Sequence, residues 1–173
     1  VIMLNGKKAG HSHITMERDR KADRDIIRTK SKTLLEVGRG GQVISVTMTK
    51  DSEETIDGRP LGFVEGVQMG RMPALMHYEG TIRDGKVEVR SRQFGAQGQT
   101  QTYPYPEDAL LSWGAYRETI QQGLEPGTEY TLKLYEPSTS LRRALKALVK
   151  VREKEMIDLF GRNVASLRPD QIV

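Results

Sequence analysis

The chain of 173 residues is long enough to bury a hydrophobic core within one domain, although only 36% of its residues are hydrophobic. Its 27 Lys and Arg residues exceed the 23 Asp and Glu residues, and the net charge of +4 is spread along the chain rather than collected in blocks. The absence of cysteine excludes disulfides, thiol nucleophiles and cysteine-ligated zinc sites, and no apolar run approaches the roughly 20 residues of a membrane-spanning helix.

Strand-like runs separated by turn signals extend through most of the chain. In residues 42–50, Ile44, Val46 and Met48 alternate with polar residues, which is typical of an antiparallel sheet with one solvated face. Asn-Gly and Asp-Gly pairs favour tight hairpin turns because both residues tolerate positive φ. The remaining predicted strands are 11–19, 26–37, 86–92 and 128–135, and the turn signals are Asn5-Gly6, Gly38 to Gly41, Asp57-Gly58, Asp84-Gly85 and Pro126-Gly127.

Two charged segments of this part of the chain are predicted to lie in solvent. Residues 17–28 form the densest charge run and are predicted to be a hairpin tip or an exposed loop. Asp51, Glu53 and Glu54 precede a turn signal in a polar segment, where carboxylates are usually hydrated. We therefore assign these carboxylates no catalytic role.

One amphipathic helix is predicted over residues 106–122. Pro106 suits the first helical position, Glu107 and Asp108 favour the positive end of the helix dipole, and Gly123 can end the helix. An apolar stripe with spacings of three and four residues predicts that one side of the helix covers the sheet. The stripe consists of Ala109, Trp113, Tyr116, Ile120 and Leu124.

Residues 141–153 fit two descriptions. Leu141, Leu145 and Leu148 would share a helical face, whereas Leu145, Ala147, Val149 and Val151 alternate as they would in a strand. The alternation favours a strand, and the helix stays open as the alternative.

The apolar residues that could line a ligand site are methionine and aromatic residues. Flexible methionine side chains adapt to apolar ligands, although the same residues also fill ordinary cores. The candidate ligand-binding residues are Phe63, Met69, Met72, Met76, Trp113 and Tyr116, with Leu75 beside them.

His11 and His13 are the candidate metal ligands. Residues two apart on a strand point to the same side, so both imidazoles could reach one ion, with His77 or Glu79 as a third ligand. A polar strand face explains the same pair without a metal.

The motifs of several other chemistries are absent. The chain has no Gly-x-Ser-x-Gly nucleophile elbow, and the glycines at 38–41 lack the Lys and Ser or Thr that complete a phosphate-binding loop. Basic stripes at Arg28/Lys30/Lys32 and Arg90/Arg92 could follow a phosphate backbone, but aromatic residues do not interleave with them. We therefore expect no nucleic-acid partner.

Four segments together resemble a bacterial envelope β-domain that often precedes a transglutaminase-like domain and is similar to the lipoprotein-carrier (LolA/LolB-like) fold. They are 4–13 (LNGKKAGHSH), 104–113 (PYPEDALLSW), 123–130 (GLEPGTEY) and 158–162 (DLFGR). The resemblance implies a curved antiparallel sheet, or half-barrel, with the helix on its concave face, and a strand at 141–153. It further implies a periplasmic or secreted, non-catalytic protein whose signal segment lies outside this chain.

The sequence thus predicts a mainly β (α+β) fold in one domain, 1–173, belonging to a longer precursor. We expect a non-enzymatic binding or scaffold module without a cofactor, whose partner is a lipid-like ligand or a neighbouring transglutaminase-like domain. A metal-dependent hydrolase that uses His11 and His13, and a nucleic-acid-binding β-module, are the alternatives.

Overall fold

A computed structural model describes residues 2–4, 7–39, 42–70, 75–94, 96, 98–159 and 162–172. Eight strands form one antiparallel sheet in chain order, and three further strands form a second, smaller sheet. The large sheet consists of β1 (Ile2–Leu4), β2 (Lys7–Lys21), β3 (Arg24–Arg39), β4 (Gln42–Thr55), β5 (Pro60–Met69), β6 (Met76–Arg83), β7 (Lys86–Gln93) and β8 (Gln99–Pro104). After it come α1 (Ser112–Gln122), β9 (Glu129–Leu134), β10 (Leu145–Leu159) and β11 (Arg162–Ile172), and the small sheet has the order β11-β10-β9.

Tight hairpins explain why neighbouring strands of the large sheet are also neighbours in sequence. Asp84 and Gly85, between β6 and β7, both have positive φ, as the Asp-Gly signal predicts. The β2–β3 turn uses Ala22 and Asp23 in the same left-handed region, so the charged run at 17–28 is a hairpin tip as predicted. The mainly β prediction and the strand alternation are therefore confirmed.

The strand prediction for residues 141–153 is confirmed from Leu145 onward. β10 pairs with β9 through Leu145 to Lys150, and it continues against β11 as far as Leu159. Ala147, Val149 and Val151 are buried, which is the alternation that favoured a strand. Residues 141–144 precede the strand as a bend and coil.

The predicted start of the helix at Pro106 is wrong, because α1 begins only at Ser112. Residues 106–111 are held in extended or turn conformations, since Leu110 forms a parallel bridge with Leu134 at the free edge of β9. Leu110 N–H donates to the Lys133 carbonyl at 2.8 Å, and Tyr135 N–H donates to the Leu110 carbonyl at 2.9 Å. A helix through these residues would lose both bonds.

The predicted apolar stripe of the helix is also only partly correct. Tyr116 and Ile120 are each 50% exposed, and Gly114 is the buried residue of α1. α1 contacts β3, β4 and β9, so it does lie on the large sheet. Its first turn contacts the large sheet at Glu54, and Ala115 packs against the small sheet, so the whole stripe is not the contact surface.

The core has two parts, one on each sheet. The first lies on β5, β6 and β7, where Phe63 meets Tyr135 edge-on at a ring separation of 5.6 Å. Its buried members are Phe63, Tyr78, Val87, Val89, Ala109, Leu111 and Tyr135. In the second, Tyr130, Leu132, Val149 and Val151 of the small sheet pack with Leu110, Ala115 and Leu134. Residues 109–111 contribute to both parts, whereas β2 and the Val46–Met48 end of β4, with the paired end of β5, lie outside them.

Candidate ligand-binding face

Glu54 of β4 caps the amino end of α1 from a distant part of the chain. Its carboxylate accepts hydrogen bonds from the Trp113 N–H at 2.6 Å, the Gly114 N–H at 2.8 Å and the Ser52 hydroxyl at 3.0 Å. The first turn of α1 has no capping side chain and no acidic residue of its own. Glu54 is 0% exposed, so this carboxylate satisfies helix N–H groups that would otherwise be buried without acceptors.

The β4–β5 turn completes the attachment of α1. The Trp113 indole N–H donates to the Ile56 carbonyl at 3.0 Å, and the Trp113 ring stacks on Tyr116 at 5.7 Å. A Cβ atom at Gly114 would lie 2.9 Å from the Gly58 carbonyl oxygen, so the helix approaches this turn as closely as glycine allows. The predicted ligand-binding pair Trp113 and Tyr116 therefore lies where α1 is fastened to the sheet.

Glu65 of β5 is a second buried carboxylate, and it fastens the chain that follows β9. Glu65 Oε2 accepts the Ser138 N–H at 3.3 Å, and Glu65 Oε1 lies 3.6 Å from the Lys50 ammonium. The same ammonium lies 2.5 Å from the Glu136 carboxylate. Because residues 136 and 138 immediately follow the small sheet's first strand, this cluster joins the two sheets.

Burial dominates the electrostatics of both carboxylates. Loss of hydration raises the pKa of Glu54 above its ordinary value, although hydrogen bonds from Gly114, Trp113 and Ser52 oppose the rise. Burial likewise raises the pKa of Glu65, against the attraction of the Lys50 ammonium. The partners of both carboxylates come from the fold itself, although Glu65 Oε1 has the Lys50 ammonium at 3.6 Å and no hydrogen-bond donor among the described residues.

The uncovered part of the same sheet face, which includes β2 and the Val46–Met48 end of β4, carries apolar side chains that we name the open band. Strand register places its members on the face that holds Ser52 and Glu54, since directly paired residues of neighbouring strands share a face. Ile14 is 57% exposed, Met16 39% and Met48 36%, and the other members are half-buried. The open band consists of Ile14, Met16, Leu35, Val46, Met48, Val67, Met69 and Met76.

The predicted ligand-binding residues of the large sheet lie on this face. One of them belongs to the core, and the others belong to the open band. Phe63 is 3% exposed and belongs to the core, where its ring fills the space above Gly80. Met69 lies in the open band opposite Val46, and Met76 lies at the border, packed against the core. Met72 lies outside the described residues. The assignment of a ligand to these residues stays a prediction.

The predicted metal ligands lie on the opposite face of the large sheet. His11 and His13 are exposed neighbours on β2, and His13 pairs directly with Lys32. His77 and Glu79 belong to β6, four strands away, or about 19 Å at the usual strand spacing. Neither is therefore placed to join the two histidines as a third ligand, and the described residues contain no group of three or more His, Asp or Glu suited to a metal.

The basic stripes predicted from sequence also lie on this opposite face. Arg28 is engaged by Glu53 at 2.9 Å and by Asp19 at 2.7 Å. Lys30 faces Asp51 in register, and Arg90 faces Glu79. Acidic residues thus alternate with the basic ones across neighbouring strands.

Glu54 and Glu65 are buried carboxylates of this face that the sequence did not identify. The expectation that Glu54 is hydrated is wrong, because the side chain is fully buried under α1. The available signal was the alternation of Lys50, Ser52 and Glu54 on the same face as Met48 and Val46. Because the predicted helix lacks a capping side chain of its own, that pattern indicates that a buried carboxylate of the sheet caps the helix.

No protein family, curated protein or solved structure matches the chain. Among the described residues, no helix is long and apolar enough to cross a membrane.

Proposed function

We propose that the protein is a non-catalytic binding module that holds an apolar or amphipathic ligand against the open band. The observation that carries the proposal is the exposure of Ile14, Met16 and Met48 on the face that also bears α1. Several exposed apolar side chains on one sheet face suit an apolar ligand, and methionines adapt to ligands of variable shape.

The same face supports a non-catalytic role. Glu54 and Glu65 are the buried carboxylates of this face, and both are engaged in fastening α1 and residues 136–138. A general acid or base must reach a substrate proton, whereas Glu54 is fully covered by the helix that it caps.

The proposal includes the shape and the setting that the resemblance implies. The large sheet curves as a half-barrel of the LolA/LolB-like kind, with the open band and α1 on its concave side, in a periplasmic or secreted protein. The long strands β2 to β4 support this shape, because strands of 14 to 16 residues accumulate strong twist. A neighbouring transglutaminase-like domain is the alternative occupant of the band.

A matched pair of substitutions tests the ligand site. Met48 and Val64 are 36% and 38% exposed and lie on opposite faces of the large sheet. We expect Met48→Glu to weaken binding of a pyrene-labelled dodecanoic acid about tenfold, because a carboxylate would replace the contact of one apolar side chain. Val64→Glu should leave the affinity unchanged. Fluorescence titration measures both, and equal losses in the two variants, or no binding by the unmodified protein, would contradict the proposal.

A further inference from the structure

The free edges of the two sheets differ in how they are protected against pairing with another strand. At one end of the large sheet β1 pairs with β2 only as far as Gly10, and the edge of β2 beyond it ends in the charged residues 17–21. The free edge of β9 is occupied by Leu110. β8 has neither charge nor bulge over residues 99–103, and Pro104 is its last residue. Folded proteins usually protect an unpaired sheet edge with charges, proline or bulges. The uncharged edge of β8 is therefore suited to pairing with another strand.

The hydrogen-bond alternation shows which groups of β8 point away from the sheet. Tyr105 N–H donates to the Gly85 carbonyl at 2.8 Å, which continues the ladder one step beyond the Lys86–Pro104 pair. In an antiparallel ladder every second residue bonds to a given neighbour. Tyr103, Gln101 and Gln99 therefore bond to β7. The backbone groups of Thr100 and Thr102 face outward, and both residues are exposed.

We propose that two copies of this chain associate by antiparallel pairing of β8 with β8 about a two-fold axis through Gln101. In this register each Thr100 faces Thr102 of the second copy, so the outward N–H and C=O groups of both strands are satisfied. Gln101 faces its own counterpart, and Gln99 faces Tyr103, over whose ring Arg142 lies at 5.3 Å. No like charges of β8 meet, and threonine pairs are favourable across strands.

The small area of the β8–β8 interface limits the affinity of the association. A six-residue strand buries less than the roughly 1,000 Å² typical of a stable interface, so the association is reversible and depends on protein concentration. Pairing of this kind joins two eight-stranded sheets into one continuous sheet without covering either open band.

The absence of cysteine makes the register directly testable. Gln101→Cys places two thiols in a non-hydrogen-bonded pair with Cα atoms about 4.5 Å apart, within the range of a disulfide. In the matched variant Gln99→Cys, the two thiols lie four residues apart along the ladder, or about 13 Å. Both positions are exposed on the same sheet face. Under mild oxidation we expect a covalent dimer from Gln101→Cys and monomer from Gln99→Cys. Equal dimer yields, or none from Gln101→Cys, would overturn the proposal.

Sedimentation equilibrium gives an independent test without a crosslink. Thr100→Pro removes an outward donor from each copy while the bonds to β7 remain, and Thr100→Val keeps that donor. We expect Thr100→Pro to weaken association at least about tenfold, because symmetry removes two hydrogen bonds. Thr100→Val should associate as the unmodified chain does. Circular dichroism checks that each variant is folded. A purely monomeric unmodified chain, or equal association of both variants, would contradict the proposal.

Discussion

The two ends of the helix-bearing sheet face are built in opposite ways. At one end Phe63, Glu54 and Glu65 are buried and engaged by α1, Tyr135 and the chain after β9. At the other end the open band presents apolar side chains such as the 36% exposed Met48, and on β2 the band continues beside the covered end, where Ile14 lies in register with Glu65. Both ends belong to the same continuous strands, so the difference lies in what covers them. A covered end of this kind stabilises the fold, and an uncovered apolar end is available to a ligand.

The largest expected effect contrasts one apolar side chain from each end. Phe63→Ala should lower the free energy of unfolding by about 3–5 kcal/mol, because it leaves a cavity beneath Tyr135. Met48→Ala should cost no more than about 0.5 kcal/mol, since the side chain is already partly in solvent. Urea unfolding of both variants measures the contrast, and similar losses would remove the distinction between the two ends.

The next effect concerns the carboxylate that caps α1. Glu54→Ala should lower the free energy of unfolding by about 2–3 kcal/mol, because the Trp113 and Gly114 N–H groups lose their acceptor. Glu79→Ala, at an exposed position of β6, should change it by less than about 0.5 kcal/mol. If Glu54→Ala proved as mild as Glu79→Ala, the cap would not hold the helix on the sheet.

The smallest expected effect is on the pH dependence of stability, to which the adjacent residues Glu53 and Glu54 should contribute with opposite signs. Burial raises the pKa of Glu54, so its folded form retains a proton that the unfolded chain has lost, and its contribution to stability falls as pH rises through this range. Burial also opposes ionisation of Glu53, but hydrogen bonds from Lys21 and Arg28 lower its pKa overall. The contribution of Glu53 is therefore present above the ordinary glutamate pKa and is lost as pH falls through the lowered value.

Glutamine variants separate these two signs. As pH rises from about 4 to about 7, the stability of Glu54→Gln relative to the unmodified protein should increase, and that of Glu53→Gln should decrease. Urea unfolding at several pH values gives both slopes. Slopes of the same sign would show that the two carboxylates do not occupy opposed environments.

The strands were predictable because their signals are local. Alternation in residues 42–50 and the Asp84-Gly85 turn depend on neighbours in sequence, and the structure reproduces both. The start of α1 was not predictable in the same way. Its cap, Glu54, lies 59 residues before Trp113, and Leu110 is held by β9, which follows it in the chain. The helix propensity of Pro106 and Glu107 depends only on neighbours in sequence, so it contains no information about either of these distant contacts.

The candidate site shows the same division between local and distant information. Sequence identified Met69 and Met76 from composition, and strand register then placed them on one face with Met48 and Val46. The exposure of Ile14 and Met16 depends on how far the cover extends across the sheet, because both lie in register with the buried Glu65 and Phe63. That cover comes from the chain after β9, so no local pattern contains it.

Methyl NMR tests most directly whether the open band is the ligand site. In protein labelled at methionine and valine methyl groups, dodecanoate should shift the signals of Met16, Met48 and Met69, which lie in the band. The Val64 methyl signals, from the opposite face, should stay in place. Shifts at Val64 without shifts at Met16 and Met48 would contradict the assignment of the ligand to this face.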